Sequence, residues 1–108
     1  MAAAIDVTDA DFSTAVEAHD GFALVDFGAE YCGPCRALDP VVEELAQEYT
    51  GKVKVCKVDI DQANDAAARY GIQPIPAILL FNKGAVVEQM TGAINKQKLI
   101  DMLDKHVK

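Results

Sequence analysis

The chain has 108 residues, 51% of them hydrophobic, which is room for one domain with a real core and for no second one. Three cysteines are too few for a disulfide-dense secreted scaffold, and the odd count leaves at least one thiol outside any intramolecular bridge. Seventeen acids against ten Lys and Arg give a formal charge of −7, which argues against nucleic acid and against an anionic membrane surface as partners.

The N-terminal stretch MAAAIDVTDADF has no basic region and no secretory pattern, and no apolar run approaches the ~20 residues of a membrane span. The expectation is a soluble, cytoplasmic protein. Thr8, followed by Asp9 and Asp11, reads as a helix start with acids in the first turn, and Phe12, Ala15 and Val16 keep helical spacing up to Gly21. Phe22-Ala-Leu-Val-Asp-Phe27 is an apolar run with one acid inside it, the pattern of a strand covered on both faces. Leu38, Val41, Val42, Leu45, Ala46 and Tyr49 then mark an amphipathic helix that ends near Gly51, with Pro40 expected to kink it. Val53 to Ile60 is a second strand, so residues 22–60 form a strand–helix–strand unit with parallel strands.

A weaker helix through Ala63, Ala66, Ala67 and Tyr70 stops at Gly71. Gln73-Pro-Ile-Pro76 cannot be helical, because each residue before a proline is pushed towards extended backbone. Ala77 to Phe81 and Val86 to Thr91 flank Asn82-Lys-Gly84 as a hairpin, and Leu99, Ile100, Leu103 and Val107 give a C-terminal helix that starts after Asn95. The fold class is α/β, a mixed sheet between helices.

The chemistry concentrates at Cys32-Gly33-Pro34-Cys35, between a buried strand and a strong helix. With Cys32 as N-cap, the free N–H groups of the first turn favour its thiolate, the nucleophile of thiol–disulfide exchange. Pro34 sits where its missing N–H costs nothing. Cys35, one turn on, is suited to resolve a mixed disulfide. The competing readings are a zinc half-site and incidental thiols. Zinc asks for four ligands, and Cys56, His19 and His106 contain no second pair. Cys56 falls mid-strand, where a small buried side chain suits better than a ligand, and the two histidines read as structural or solvated. Arg36 is either a surface arginine or a slight aid to the thiolate. Asp26 is expensive to bury unless it reaches water at a strand end, and Lys57, inside Val55-Cys-Lys-Val58, reads as an ammonium snorkelling from a strand. No glycine fingerprint for a nucleotide is present, so no cofactor is expected.

Val25-Asp26-Phe27, Cys32-Gly-Pro-Cys35, Pro40, Val58-Asp59, Tyr70-Gly71-Ile72, Ile75-Pro76, Phe81, Gly84 and Gly92 stand in the order and spacing of the thioredoxin family, which the chain resembles over nearly its whole length. The resemblance implies one thioredoxin domain over residues 1–108, with a central five-stranded mixed sheet, four helices, and a cis peptide before Pro76. It implies a Cys32–Cys35 disulfide in the oxidised protein. It makes Asp26 a buried base for Cys35 and pairs Lys57 with Asp26. It assigns substrate contact to Tyr31, to the Ile75 backbone, and to Gly92 and Ala93 at the groove's border.

The implied function is reduction of protein disulfides by a monomer that a separate reductase, a thioredoxin reductase, recharges. Two other readings use the same residues: a more oxidising oxidase or isomerase, and a non-catalytic module that grips a partner through Tyr31, Pro34, Ile75 and Pro76. Gly-Pro between the cysteines favours the reductant by resemblance. The chain departs from the family at Gly28 and Tyr31, where tryptophans are usual, at Ala77, where threonine is common, and at Pro74.

Overall fold

The computed structural model describes residues 3–107, so residues 1, 2 and 108 of the expected domain lie outside the described residues. In chain order come β1 (Ile5–Val7), a π-helical turn (Ser13–Glu17), β2 (Phe22–Gly28), α1 (Gly33–Glu48), β3 (Val53–Asp59), α2 (Asn64–Arg69), β4 (Ala77–Asn82), β5 (Ala85–Thr91) and α3 (Lys96–His106). The strands form a five-stranded sheet in the order β1-β3-β2-β4-β5. β1, β2 and β3 run parallel, whereas β4 is antiparallel to both β2 and β5. The expected α/β class and mixed sheet are found.

Strand alternation splits the core in two. Ala23, Val25 and Phe27 join Phe12, Val16, Cys56, Val58, Leu79 and Phe81 on one face. Leu24 joins Val53, Val55, Ile78 and Leu80 on the other, under Leu38, Val42 and Leu45 of α1 and Leu99, Met102 and Leu103 of α3. The same parity puts Asp26 and Lys57 on the α1 face, and they are direct register partners across β2 and β3. β2 is buried on both faces, as its apolar run requires.

Three local features differ from the sequence expectations. β1 has only three residues, with Ile5 45% exposed, so it carries no readable alternation and its place in the sheet came from resemblance alone. The first helix is a single π-helical turn, closed by Ala18 N–H donating to Ser13 O at 2.8 Å. A longer helix would give the Ala15 carbonyl to the His19 N–H; instead Lys54 Nζ donates to Ala15 O at 2.8 Å and His19 N–H turns to Val16 O. Asp9 does not serve its own segment. Its carboxylate accepts from the Asp65 and Ala66 N–H groups, both at 3.0 Å, and so caps α2, whose N-cap residue Ala63 has no acceptor of its own. α1 includes Pro40 within one continuous helix, and buries Cys35, Leu38, Val42, Leu45 and Ala46.

The hairpin turn is tighter than a lone glycine position: Lys83 (φ 52°) and Gly84 (φ 84°) are both left-handed, as a two-residue type I′ turn requires. A Cβ on Gly84 would lie 2.3 Å from the Glu17 carbonyl oxygen, so the hairpin packs directly against the π-helical turn. Both Gln73–Pro74 and Ile75–Pro76 are cis, where only the second is expected from the resemblance.

Candidate active site

Three chain segments meet at the end of the sheet where β2 terminates. Phe27 pairs with Ala77 and Ala77 with Thr91, so the next residues outward are Gly28, Pro76 and Gly92. α1 starts from the same end, with four residues between it and β2. Cys32 is its N-cap in extended backbone (φ −92°, ψ 109°), and its Sγ accepts from the Cys35 N–H at 3.2 Å. Gly33 and Pro34 fill the first two helical positions, where N–H groups have no intrahelical partner.

The structure holds the pair oxidised. Cys32 and Cys35 form a disulfide with Cα atoms 5.2 Å apart. Its two sulfurs are unequal. Cys32 is half-buried next to Tyr31, which is 72% exposed, whereas Cys35 faces inward and is 4% exposed. Free N–H groups and the positive helix end lie at the outer sulfur, the one a partner can reach. Gly33 and Pro34 are exposed on the same rim, as are Gly92 and Ala93, while Ile75 is half-buried and Pro76 buried.

Behind the disulfide lies a cleft of about 630 Å³ lined by Asp26, Gly28, Cys35, Arg36, Asp39 and Lys57 among others. The structure thus brings Asp26 and Lys57 to Cys35, whereas Tyr31, Ile75, Gly92 and Ala93 lie outside the cleft. Gly28 is its open wall: a Cβ there would stand 3.1 Å from both Cβ and Sγ of Cys35. Asp26 is 4% exposed, and its Oδ1 is buried with no hydrogen-bond partner among the described residues. Burial, reinforced by the negative charge of Asp39 and opposed by Lys57, pushes the Asp26 carboxyl up to about 7. A carboxyl poised there can both take and return a proton near neutral pH.

The pairing of Lys57 with Asp26 needs correction. Lys57 Nζ lies 3.1 Å from Asp39 Oδ1, and no ion pair between Lys57 and Asp26 is present among the described residues. The physical reason is solvation: Asp39 and the ammonium are both partly exposed, so their pairing costs little desolvation, whereas meeting Asp26 means burying the charge. Asp39 is the functional candidate that sequence reasoning missed. Its signal was available, because position 39 is one helical turn beyond Cys35 and therefore on the same face of α1.

Cys56 and His106 lie outside the cleft. Cys56 is a buried thiol that burial pushes up to about 11, which disfavours its thiolate. His106 Nε2 contacts Glu88 Oε1 at 2.7 Å, a surface contact between α3 and β5. No group of three or more His, Cys, Asp or Glu side chains that could hold a metal occurs among the described residues. No helix among them is long and apolar enough to cross a membrane.

A sheet-end dithiol at a helix N-terminus, with an outer sulfur, an inner sulfur and a buried carboxyl behind it, defines a protein of the dithiol–disulfide exchange class. The family model described as thioredoxin matches residues 3–105. The chain is 46% identical to thioredoxin 1 of Nostoc sp. over 107 residues, covering 99% of this chain and all of the relative. It is 44% identical to thioredoxin of Pseudomonas aeruginosa over 103 residues, 95% of each chain, and 44% identical to thioredoxin of Staphylococcus aureus over 105 residues, 97% of this chain and 99% of that one. The chain belongs to the thioredoxin family and is a protein thiol–disulfide oxidoreductase. Membership implies, in general terms, a reductase and disulfide-bearing proteins as its partners.

Proposed function

We propose that this chain reduces disulfides of cytoplasmic proteins, with Cys32 as nucleophile, Cys35 as resolving thiol and Asp26 as the proton acceptor for Cys35. In the reduced protein the Cys32 thiolate attacks one sulfur of the substrate disulfide. A Cys32–substrate bond forms, and the other substrate sulfur leaves as a thiolate and takes a proton from solvent. Cys35 then gives its proton to Asp26 and attacks the Cys32 sulfur. The Cys32–Cys35 disulfide forms, the second substrate thiolate leaves, and two electrons have passed from the chain to the substrate. A separate thioredoxin reductase returns two electrons to the pair, so the chain works as an electron carrier that binds no cofactor of its own.

The observation that carries this reading is the asymmetry of the pair: the capping cysteine is half-buried at the helix N-terminus, while the inner one is buried and borders the same cleft as Asp26, whose Oδ1 has no partner among the described residues. Gly33 and Pro34 shape the first turn. Tyr31, the Ile75 backbone, Gly92 and Ala93 supply the rim on which an extended substrate segment docks, with Pro76 holding that rim. The reading further takes the chain to act as a monomer in the cytoplasm, where a reducing pool keeps such a dithiol charged.

Turnover of insulin disulfides with dithiothreitol as electron source tests it. Cys32→Ser is expected to abolish turnover. Cys35→Ser is expected to attack once and stall as a covalent adduct visible by mass spectrometry. Limiting iodoacetamide on the reduced parent is expected to label Cys32 first; preferential labelling of Cys35 or Cys56 would overturn the assignment.

A further inference from the structure

Position 39 follows Cys35 by four residues, so its side chain and that of Cys35 stack on one face of α1. That face lies over the end of the sheet where Asp26 and Lys57 are register partners on β2 and β3. Four polar groups therefore border one cleft: the Cys35 sulfur, the Asp26 carboxyl, the Lys57 ammonium and the Asp39 carboxylate. The ammonium sits 3.1 Å from Asp39 Oδ1, while Asp26 Oδ1 is left buried and without a partner among the described residues. The ammonium makes its ion pair at the partly exposed Asp39 carboxylate, and none with Asp26 occurs among the described residues.

We propose that Asp39 is a positioning residue for the exchange reaction: it holds the Lys57 ammonium away from Asp26 and so leaves the buried carboxyl unpaired beside Cys35. The proposal rests on the reading of Asp26 as proton acceptor. An Asp26 carboxylate paired to Lys57 would be a weak base, held ionised at every pH of interest. Left unpaired, it stays a useful acceptor, and the charge of Asp39 itself adds to the resistance that burial offers to ionisation. The groups that face Asp26 agree with this assignment. β3 contributes Lys57, α1 contributes Cys35, Arg36 and Asp39, and the β4 register partner Ile78 is apolar. Asp6, Glu30 and Asp59 complete the charged lining of the cleft, and Arg36 makes no ion pair among the described residues.

Asp39→Asn removes the competing charge and frees Lys57 to turn inward. Both effects favour the ionised form of Asp26, so its titration midpoint is expected to fall by about one to three pH units, the range for a carboxylate that gains a cation within ~4–6 Å. Carbon-13 titration of the Asp26 carboxyl in the oxidised protein reads this directly. In the reduced protein, Cys32 loaded with thionitrobenzoate should release it with a pH midpoint lowered by the same amount. Asp39→Glu is expected to restore the parent midpoint. Asp39→Asn combined with Lys57→Met should bring it back up, because no ammonium remains to turn inward.

An Asp26 midpoint that stays put or rises in Asp39→Asn overturns the proposal, as does failure of the double variant to reverse the fall. Asp26→Asn separates the two ideas. If it releases thionitrobenzoate as fast as the parent at every pH, the proton-acceptor reading falls and takes the role of Asp39 in the reaction with it. If Asp26→Asn is slow while Asp39→Asn keeps the parent midpoint, the reading stands and the proposal alone is overturned.

Discussion

Asp26→Asn in the oxidised protein sets stability against catalysis. Burial lifts the Asp26 pKa from 3.8 to about 7, helped by Asp39 and opposed by Lys57. Because the folded value lies above the unfolded one, the folded state binds this proton more tightly than the unfolded chain does. The carboxyl is therefore a destabilising group once it ionises. Its cost is absent below pH 3.8, grows as pH rises, and is complete above about pH 7. Each tenfold change in proton affinity corresponds to about 1.36 kcal/mol, so the cost comes to roughly 4 kcal/mol at pH 8 and well under about 1 kcal/mol at pH 4.

The asparagine amide escapes this cost but brings an offset of its own, since a buried amide with unmade hydrogen bonds costs about 1–3 kcal/mol. That offset does not change with pH. The informative quantity is the stability difference between variant and parent at pH 8 minus the same difference at pH 4, expected to be roughly 3–4 kcal/mol in favour of the variant. Other titrating groups cancel in this double difference. With urea slopes of about 1–3 kcal/mol per molar, the midpoint gap between the proteins should open by more than about 1 M from pH 4 to pH 8. Urea unfolding of both, disulfide intact, is the assay. A gap that does not change between the two pH values would mean that Asp26 ionises as easily folded as unfolded, and the buried-base argument would lose its energetic support.

Two further substitutions test the fold around the site. Gly84→Ala and Gly51→Ala both place a Cβ on left-handed backbone, at φ 84° and φ 83°, but only the first meets a neighbour, the Glu17 carbonyl oxygen at 2.3 Å. Thermal or urea unfolding should show a loss of about 1–2 kcal/mol for Gly51→Ala from backbone strain and at least about 1 kcal/mol more for Gly84→Ala from overpacking. Equal losses would refute the contact between hairpin and π-helical turn. Asp9→Ala should cost about 1 kcal/mol, the usual loss of an N-cap, with faster amide exchange at Asp65 and Ala66; unchanged exchange there would show that α2 does not depend on this cap.

What could be read from the sequence was whatever is settled within one element or by apolar pattern. The run Phe22–Phe27 announces a strand buried on both faces because both parities are apolar, and Cys32 announces a cap because the helix pattern starts right after it. Asn95 works in the same way, its side chain accepting from the Lys98 N–H at 2.9 Å. Most of the misses around the site are polar contacts between distant segments. Lys54 ends the first helix by reaching Ala15, Asp9 caps a helix that starts some fifty residues later, and Lys57 chooses Asp39. Each of those side chains had a plausible local role, and each is claimed by a backbone or charge that only the packed chain brings near.

The active site divides along the same line. The proposed nucleophile and resolving thiol differ in position within a single helical turn, and that is what the proposal rests on: the cap is outside and the next residue on its face is inside. The proposed proton chemistry turns on which of two carboxylates the Lys57 ammonium pairs with. Strand parity places Lys57 beside Asp26, and helix periodicity places Asp39 over both, so each half of the competition follows from its own element. Its outcome follows from neither. It is decided by solvation, because a cation pairs at lower cost where water still reaches both partners than where one partner is 4% exposed. The carboxyl left without the cation in this way, Asp26, is the one proposed to serve as the base.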